Sequence, residues 1–378
     1  MTVRQSVDLH VVRMESPGDV SGLEALLDST LDARDVVAIV GKTEGTGLHD
    51  DPGREIAGTA IRSALAARLG IAAEQVGDRV VLVLSGGTPG VMSPHFAVVS
   101  VRHIDLPGGE MPSVDGRLVV GTAHSRPIPP EHVGRLPQVD AVADAVREAV
   151  RAAGLTDPGD VHLVLVKAPS LTEESIADAA RRGRDSVTTD LGIGPDGGIC
   201  YANDASALGV AAALGEIDRT ALREEDIRRD FSLFSNVAMT SAAGERGDAE
   251  VIVFGNSPDA AGALRVGHAP MRDIIDLGAV DRVLADAGLS PDGESGAFDP
   301  GRIVYLMAKM IIPGSDRLRG GRLTLADDPH GYHVAKAMGG HLLAAATGHT
   351  ASFVSGGEHN SHQGPPDGNP LAAIVRVD

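Results

Sequence analysis

The sequence predicts an α/β protein made of three homologous β-α-β-α-β units arranged around a pseudo-threefold axis, with an active site at the centre. Three short apolar, β-branched-rich runs each end in a lysine, a pattern typical of strands buried on both faces. Three later apolar runs each end in a serine followed by small residues, and an Ala-rich segment separates each lysine from its serine. Because this order occurs three times along 378 residues, we expect three similar units.

Each predicted unit begins with a strand and a helix, and its second strand ends in the lysine. The lysine strands cover residues 36–42, 161–167 and 303–309. The Ala-rich helices that follow cover residues 54–69, 203–214 and 333–346, and the third strands end at Ser85, Ser241 and Ser355. The chain therefore divides into unit A (1–105), unit B (113–257) and unit C (262–378), with residues 106–112 as a linker. The longer interval between lysine and serine in unit B predicts an insertion at residues 172–198.

Composition excludes several classes of protein. The formal net charge of −19 argues against a nucleic-acid-binding protein, because neutralising phosphates requires a basic surface. The 43% of hydrophobic residues is enough for a globular core, and no apolar run reaches the length of a membrane-spanning helix. One cysteine, Cys200, excludes a disulfide framework, and we see no signal peptide, so we expect a cytoplasmic protein.

Lysine is scarce: of the 33 basic residues, four are lysines, namely Lys42, Lys167, Lys309 and Lys336. A single lysine at a strand end is usually a solvated residue. Three equivalent Lys–Ser pairs in a chain with four lysines instead indicate a site. A lysine that is desolvated or close to other cations has a lowered pKa and can act as a general base for a serine nucleophile.

The residues after the three serines are small: Gly86, Ala242 and Gly356. They allow close approach of the backbone, and their N–H groups can hold a developing oxyanion. This chemistry suits acyl transfer at an amide or ester carbonyl, and threefold symmetry suits a small ring with several carbonyls.

A third repeated position lies at the predicted start of the second helix, where Arg54, Asn203 and Lys336 occur. A cation there can polarise a ring carbonyl or anchor an anionic imide. Two alternatives remain open: Arg54 can be a surface residue, and Asn203 can be a helix N-cap.

Motifs in all three units resemble the cyanuric acid amidohydrolase/barbiturase family: Ser85-Gly-Gly-Thr-Pro-Gly-Val-Met-Ser-Pro-His95, Ala205-Ser-Ala-Leu-Gly-Val210 with Ala213-Leu-Gly-Glu216, and Val354-Ser-Gly-Gly357 with Gln363-Gly-Pro365. The resemblance covers nearly the whole chain. It implies three units around one site, a homotetramer, no cofactor for the chemistry, and hydrolytic ring opening of a cyclic imide. It also implies that Lys167 is the base and Ser241 the nucleophile, while Lys42 with Ser85 and Lys309 with Ser355 bind the other carbonyls.

The chain departs from the family pattern at several positions. Asn203 and Lys336 stand where the family has arginine, and Pro89 stands where the first serine motif has glutamate. Met310-Ile311 replaces an Ala-Glu pair whose glutamate helps to hold a structural divalent metal in the family. We therefore expect a less symmetric ring than cyanuric acid, such as barbituric acid or another cyclic imide.

Two other functions are compatible with the sequence. Glu358, His359 and His362 form an E-H-x-x-H cluster, and His330 with His333 forms H-x-x-H; either can bind a divalent metal in a metal-dependent amidohydrolase. The replaced arginines also fit a non-catalytic ligand-binding homologue with a degenerate site. No phosphate-binding P-loop motif is present, so a nucleotide ligand is not expected.

Overall fold

A computed structural model describes residues 2–47, 51–106, 116–242, 246–357 and 360–377. The first sheet contains β1 (Thr2–Arg13), β2 (Val36–Thr43), β3 (Val81–Gly86) and β4 (His95–Leu106). The second contains β5 (Arg117–His124), β6 (Val161–Lys167), β7 (Ala238–Ser241) and β8 (Glu250–Ser257). The third begins with β9 (Leu264–His268) and β10 (Ile303–Ile311); a small ribbon of β11 (Arg317–Leu318) and β12 (Gly321–Arg322) follows, and β13 (Phe353–Gly357) and β14 (Leu371–Arg376) complete the sheet.

All three sheets have the same topology. The lysine strand pairs in parallel with the serine strand on one side and antiparallel with the last strand on the other. The last strand, β4, β8 or β14, also pairs with the first strand of its unit. The predicted threefold α/β architecture is confirmed, but the sequence pattern missed this last strand, which bears no marker residue and follows loops of different length.

Eight helices occur among the described residues: α1 (Ser21–Ser29), α2 (Pro52–Leu69), α3 (Ala73–Val76), α4 (Leu136–Ala152), α5 (Glu173–Arg181), α6 (Gly198–Leu214), α7 (Gly278–Asp286) and α8 (Gly331–Thr347). Helix α5 lies within the expected insertion of unit B. Residues 107–112 of the expected linker lie outside the described part of the chain. None of the described helices has the length and apolar character needed to cross a membrane.

The second helices of all three units start earlier than the sequence predicted, by two residues in units A and C and by five in unit B. Helix α6 is N-capped by Gly197, and Asn203 is its sixth residue, so the N-cap interpretation of Asn203 is wrong. Lys336 is likewise the sixth residue of α8, whereas Arg54 is the third residue of α2. In units B and C the error arises because both helices begin with glycine, which gives no capping signal.

The three sheets share one central core. Inward-facing side chains from every sheet pack together there, among them Leu9, Leu165 and Ile374. Helices cover the outer faces, with separate clusters around α1 and α2, α4 and α6, and α7 and α8. Alternate residues of each strand face the shared core and the outer helical layer.

Candidate active site

The three Lys–Ser pairs occupy identical positions in the three sheets. In the parallel pairing of lysine and serine strands, Lys42 lies beside Ser85, Lys167 beside Ser241 and Lys309 beside Ser355. Residues at the same level of neighbouring strands point to the same face, and the side chains therefore meet. The distances from lysine Nζ to serine Oγ are 3.0, 3.5 and 3.4 Å in units A, B and C.

Backbone carbonyls orient the lysine of unit B. Lys167 Nζ donates to the carbonyl of Ala242 at 2.9 Å and to that of Leu84 at 3.3 Å. These two bonds hold the amine within 3.5 Å of the Ser241 hydroxyl. In unit A, Lys42 Nζ donates to the carbonyl of Gly86 at 2.9 Å in the same way.

The lysines also connect the units. Leu84 precedes the serine of unit A but accepts from the lysine of unit B, and Thr240, which precedes the serine of unit B, accepts from Lys309 Nζ at 2.9 Å. Lys336 of unit C donates to Gly86 of unit A at 3.3 Å. The three pairs therefore form one site between the units.

Lys42 lies in a strongly unfavourable environment for a charged amine. Its side chain is fully buried, and this burial lowers its pKa well below the ordinary value. The positive charges of Lys336, Lys309, Arg54 and Lys167 lower the pKa further, in that order. The other three lysines and Arg54 thus lie close enough to Lys42 to affect its pKa.

Glycines make room for Lys336. A Cβ atom on Gly47 or Gly87 would lie 2.8 Å from Lys336 Nζ, and one on Gly356 would lie 3.0 Å from its Cγ. The ammonium group also lies 4.2 Å from the centre of the Tyr332 ring. These contacts place Gly356 against Lys336 and Lys336 beside Gly86 of unit A, and the assignment of both to substrate binding stays a prediction.

A cavity of about 920 Å³ opens at the seam between units A and B. Arg54, Asp51, Lys167 and Glu250 are among the residues that line it, and Lys167 is the one site lysine among its described lining residues. Ser241 is partly exposed, whereas Ser85 and Ser355 are 5% and 3% exposed. The pair of unit B is therefore the most accessible of the three.

Comparison with known proteins identifies relatives of this chain. A family model described as "amidohydrolase ring-opening protein" matches residues 8–376. The chain belongs to this family. The chain is 48% identical to a cyclic amide hydrolase of Pseudofrankia inefficax, covering 97% of this chain and 94% of that protein. It is 40% identical to barbiturase 1 of a Nocardioides species, covering 98% of each.

A solved structure of a cyanuric acid hydrolase, described as an innovation by structural concatenation, superposes with a TM-score of 0.90. That chain is 37% identical, and the match covers 99% of this chain and 100% of the other. The family that the sequence motifs predicted is therefore confirmed for this ring-opening amidohydrolase.

Sequence reasoning missed one residue of the site, Glu250. It begins β8 directly opposite Lys167 in the antiparallel pairing, and it is 6% exposed. Burial raises the pKa of its carboxyl group to about 7, against the lowering effects of the Leu82 N–H, Arg246 and Lys167. The corresponding positions are His95 in unit A, whose pKa burial lowers to about 4, and Pro370 in unit C. Unit B alone thus places a carboxyl group opposite its lysine.

We expect Glu250→Gln to stabilise this ring-opening amidohydrolase at alkaline pH. Burial raises the pKa of the Glu250 carboxyl group from 4.5 in the unfolded chain to about 7 in the native state. The native state therefore binds this proton more strongly than the unfolded chain, and the free energy of unfolding falls as the pH rises between these two values. The uncharged glutamine should therefore raise the free energy of unfolding by up to about 3 kcal/mol at pH 8. Urea denaturation across pH measures this, with exposed Glu148→Gln as the control; a difference that does not vary with pH would contradict it.

Asn203 is buried at 5% exposure close to the serine of unit B. Its backbone carbonyl accepts from the Thr240 hydroxyl at 2.8 Å, while its side-chain Oδ1 has no hydrogen-bond partner among the described residues. An unsatisfied buried acceptor is costly, so this oxygen is suited to receive a ligand N–H. The position was predicted for substrate binding, and its role stays a prediction.

The histidine clusters do not form a metal centre in the described structure. Both nitrogens of buried His362 are engaged: Nε2 accepts from the backbone N–H of Arg228 at 3.0 Å, and Nδ1 donates to the Leu233 carbonyl. His333 Nε2 donates to the Thr46 carbonyl, and no described carboxylate, cysteine or histidine completes a metal site with it or His330. Glu358 and His359 lie outside the described residues. His362 is therefore unsuitable as the ligand that the metal-dependent alternative requires.

The family's structural metal also does not fit the residues present. Met310 and Ile311 are buried apolar residues of β10, at 0% and 2% exposure. Ile311 packs so close to Gly357 that a Cβ there would lie 2.4 Å from its Cδ1. An apolar side chain thus fills the position where an oxygen ligand would be needed.

Proposed function

We propose that this protein opens the ring of a cyclic amide or imide by hydrolysis, with Lys167 as the base and Ser241 as the nucleophile. The observation that supports this best is the meeting of three equivalent Lys–Ser pairs at one centre, of which the unit B lysine, Lys167, lines the cavity of about 920 Å³. The family's other named members act as hydrolases of carbon–nitrogen bonds in such rings.

The reaction follows from the geometry around Lys167. Its neutral amine takes the Ser241 proton, and Oγ attacks a ring carbonyl carbon to form a tetrahedral intermediate. The ring C–N bond then breaks, and the lysine returns the proton to the departing nitrogen. Water, deprotonated by the same amine, attacks the resulting ester, which releases the ring-opened acid and restores Ser241.

Glu250 supports the choice of unit B. A carboxyl group with a pKa near 7 beside Lys167 can exchange protons with solvent in the cavity close to neutral pH. By relaying protons between solvent and Lys167, this group can keep the amine neutral at the start of each turnover. The corresponding positions of units A and C, His95 and Pro370, offer no carboxylate.

The other two pairs suit binding of the remaining ring carbonyls. Lys42 and Lys309 are buried, and each has a serine hydroxyl within 3.4 Å of Nζ to help hold a carbonyl oxygen. The unpartnered Oδ1 of Asn203 suits a ring N–H, a donor that cyclic imides and ureides possess. An asymmetric ring such as a barbiturate offers both kinds of group.

The test is a panel of cyclic ureides and imides, including barbituric and cyanuric acids, assayed by loss of ring absorbance. We expect turnover of at least one ring by the wild type and almost none by Ser241→Ala; exposed Ser232→Ala is the control. Tight binding without turnover would support a non-catalytic homologue. Activity that survives Ser241→Ala but is lost to a chelator would support a metal-dependent enzyme.

A further inference from the structure

Two histidines and an aspartate meet where units B and C join, far from the lysines. His162 is the second residue of β6, His268 ends β9, and Asp286 ends α7. His162 precedes Lys167 by five strand residues, which places it about 16 Å from that lysine. It is the one group of three or more potential metal ligands found among the described residues.

The three potential ligand atoms have the spacing of a metal site. The Nδ1 atoms of His162 and His268 lie 3.0 Å apart, and Asp286 Oδ2 lies 3.3 Å from the first and 3.9 Å from the second. Ligand atoms about 2.0–2.1 Å from a tetrahedral Zn²⁺ lie about 3.3 Å from one another. An ion can thus contact all three atoms with small adjustments of the side chains.

Hydrogen bonds among the three side chains cannot pair all of their nitrogen and oxygen atoms with a donor. His162 Nδ1 faces two potential acceptors, yet a neutral ring has one proton to place there. If His268 Nδ1 donates instead, the His162 lone pair faces the carboxylate. The backbone N–H of His268 donates to Asp286 Oδ2 at 2.8 Å, which holds the carboxylate in position, as outer contacts do in metal sites.

The equivalent positions in the other units show that packing does not require these histidines. Counted five residues before the strand-end lysine, His162 corresponds to Val37 in unit A and Val304 in unit C. Both valines pack against the central core.

The same holds for His268. His268 lies on one side of β14, at the same level as the residue two before Lys309 on the other side. The residues in the same position of units A and B are Val11 and Thr122. Imidazoles therefore replace β-branched residues on both sides of one seam, where α7 also supplies a carboxylate.

We propose that His162, His268 and Asp286 bind a divalent transition metal of the zinc type, which joins unit B to unit C. Two imidazole nitrogens and one carboxylate oxygen favour Zn²⁺, Co²⁺ or Ni²⁺ over Mg²⁺ and Ca²⁺. The side chains are 15%, 27% and 42% exposed, so an ion can enter from solvent and a water can complete the coordination. The site is independent of the proposed ring-opening chemistry.

The test uses the full-length protein, stripped with a chelator and titrated with Zn²⁺ by calorimetry and with Co²⁺ by visible absorption. We expect one tight site per chain, a four-coordinate Co²⁺ spectrum, and a higher melting temperature with Zn²⁺. His162→Val copies the residue found in units A and C and should weaken binding by more than about 100-fold. Asp286→Asn, at a more exposed position, should also weaken binding, and exposed His103→Ala should not.

Zinc binding by both variants equal to that of the wild type, or no tight site in the wild type, would overturn the proposal. Ring-opening activity is a separate readout, because the stripped protein should retain it. Loss of metal binding with unchanged turnover therefore supports this site without bearing on the Lys–Ser chemistry.

Discussion

Ser241→Ala should lower kcat by about 10⁴-fold or more, whereas Ser85→Ala and Ser355→Ala should act mainly on KM. In the proposed mechanism, Ser241→Ala removes the nucleophile and with it the covalent intermediate. Ser85→Ala and Ser355→Ala each remove a hydroxyl that binds a ring carbonyl, which weakens binding of the ground state and the transition state equally. Lys167→Met should match Ser241→Ala, because the hydroxyl needs its base. Steady-state kinetics on a substrate identified by the panel measure all four variants.

The double variant provides a sharper check. Residues that act as a unit are strongly non-additive, so Lys167→Met with Ser241→Ala should be no slower than either single variant. The pair of unit A is the clear competitor, since burial and neighbouring cations lower the pKa of Lys42. If Ser85→Ala abolished turnover and Ser241→Ala changed KM alone, the chemistry would belong to unit A.

Asp204→Asn should reduce the free energy of unfolding by about 3–5 kcal/mol, because it removes the carboxylate charge from a buried ion pair. Asp204 and Arg228 are 1% and 4% exposed in their side chains, and Oδ2 lies 2.6 Å from Nη1. The other carboxylate oxygen accepts from the Ser361 hydroxyl and from the His362 N–H at 3.2 Å. One carboxylate thus ties α6 of unit B to a loop of unit C.

Urea denaturation measures this effect, and an exposed ion pair provides the matched control. Asp8 and Arg102 are 42% and 56% exposed, so Asp8→Asn should cost no more than about 1 kcal/mol. Replacing Asp204 and Arg228 together with apolar residues should cost less than Asp204→Asn, since no buried charge remains. Equal costs for Asp204→Asn and Asp8→Asn would show that the buried pair does not stabilise the fold.

The pairing of lysines with serines could be predicted because each residue lies at the end of an apolar strand or within two residues of it, and the strands repeat in order. Glu250 could not be found this way, since its place beside Lys167 depends on antiparallel pairing across 83 residues of chain. The start of α6 was misplaced because Gly197 and Gly198 give no capping signal. His162 and His268 come together because two units pack, and no local pattern reports such packing.

The carbonyls of Leu84, Thr240 and Gly86 each receive a lysine from another unit. Units B and C expressed alone would each lose the contact of a lysine with a carbonyl of the preceding unit, and unit A alone would lose two lysines that donate to its serine strand. The complete set of lysine contacts therefore forms when the three units pack together. A chain with one unit would need two further copies of itself to build the same centre, and fusing the three copies allows each to diverge, as Asn203 and Lys336 have done.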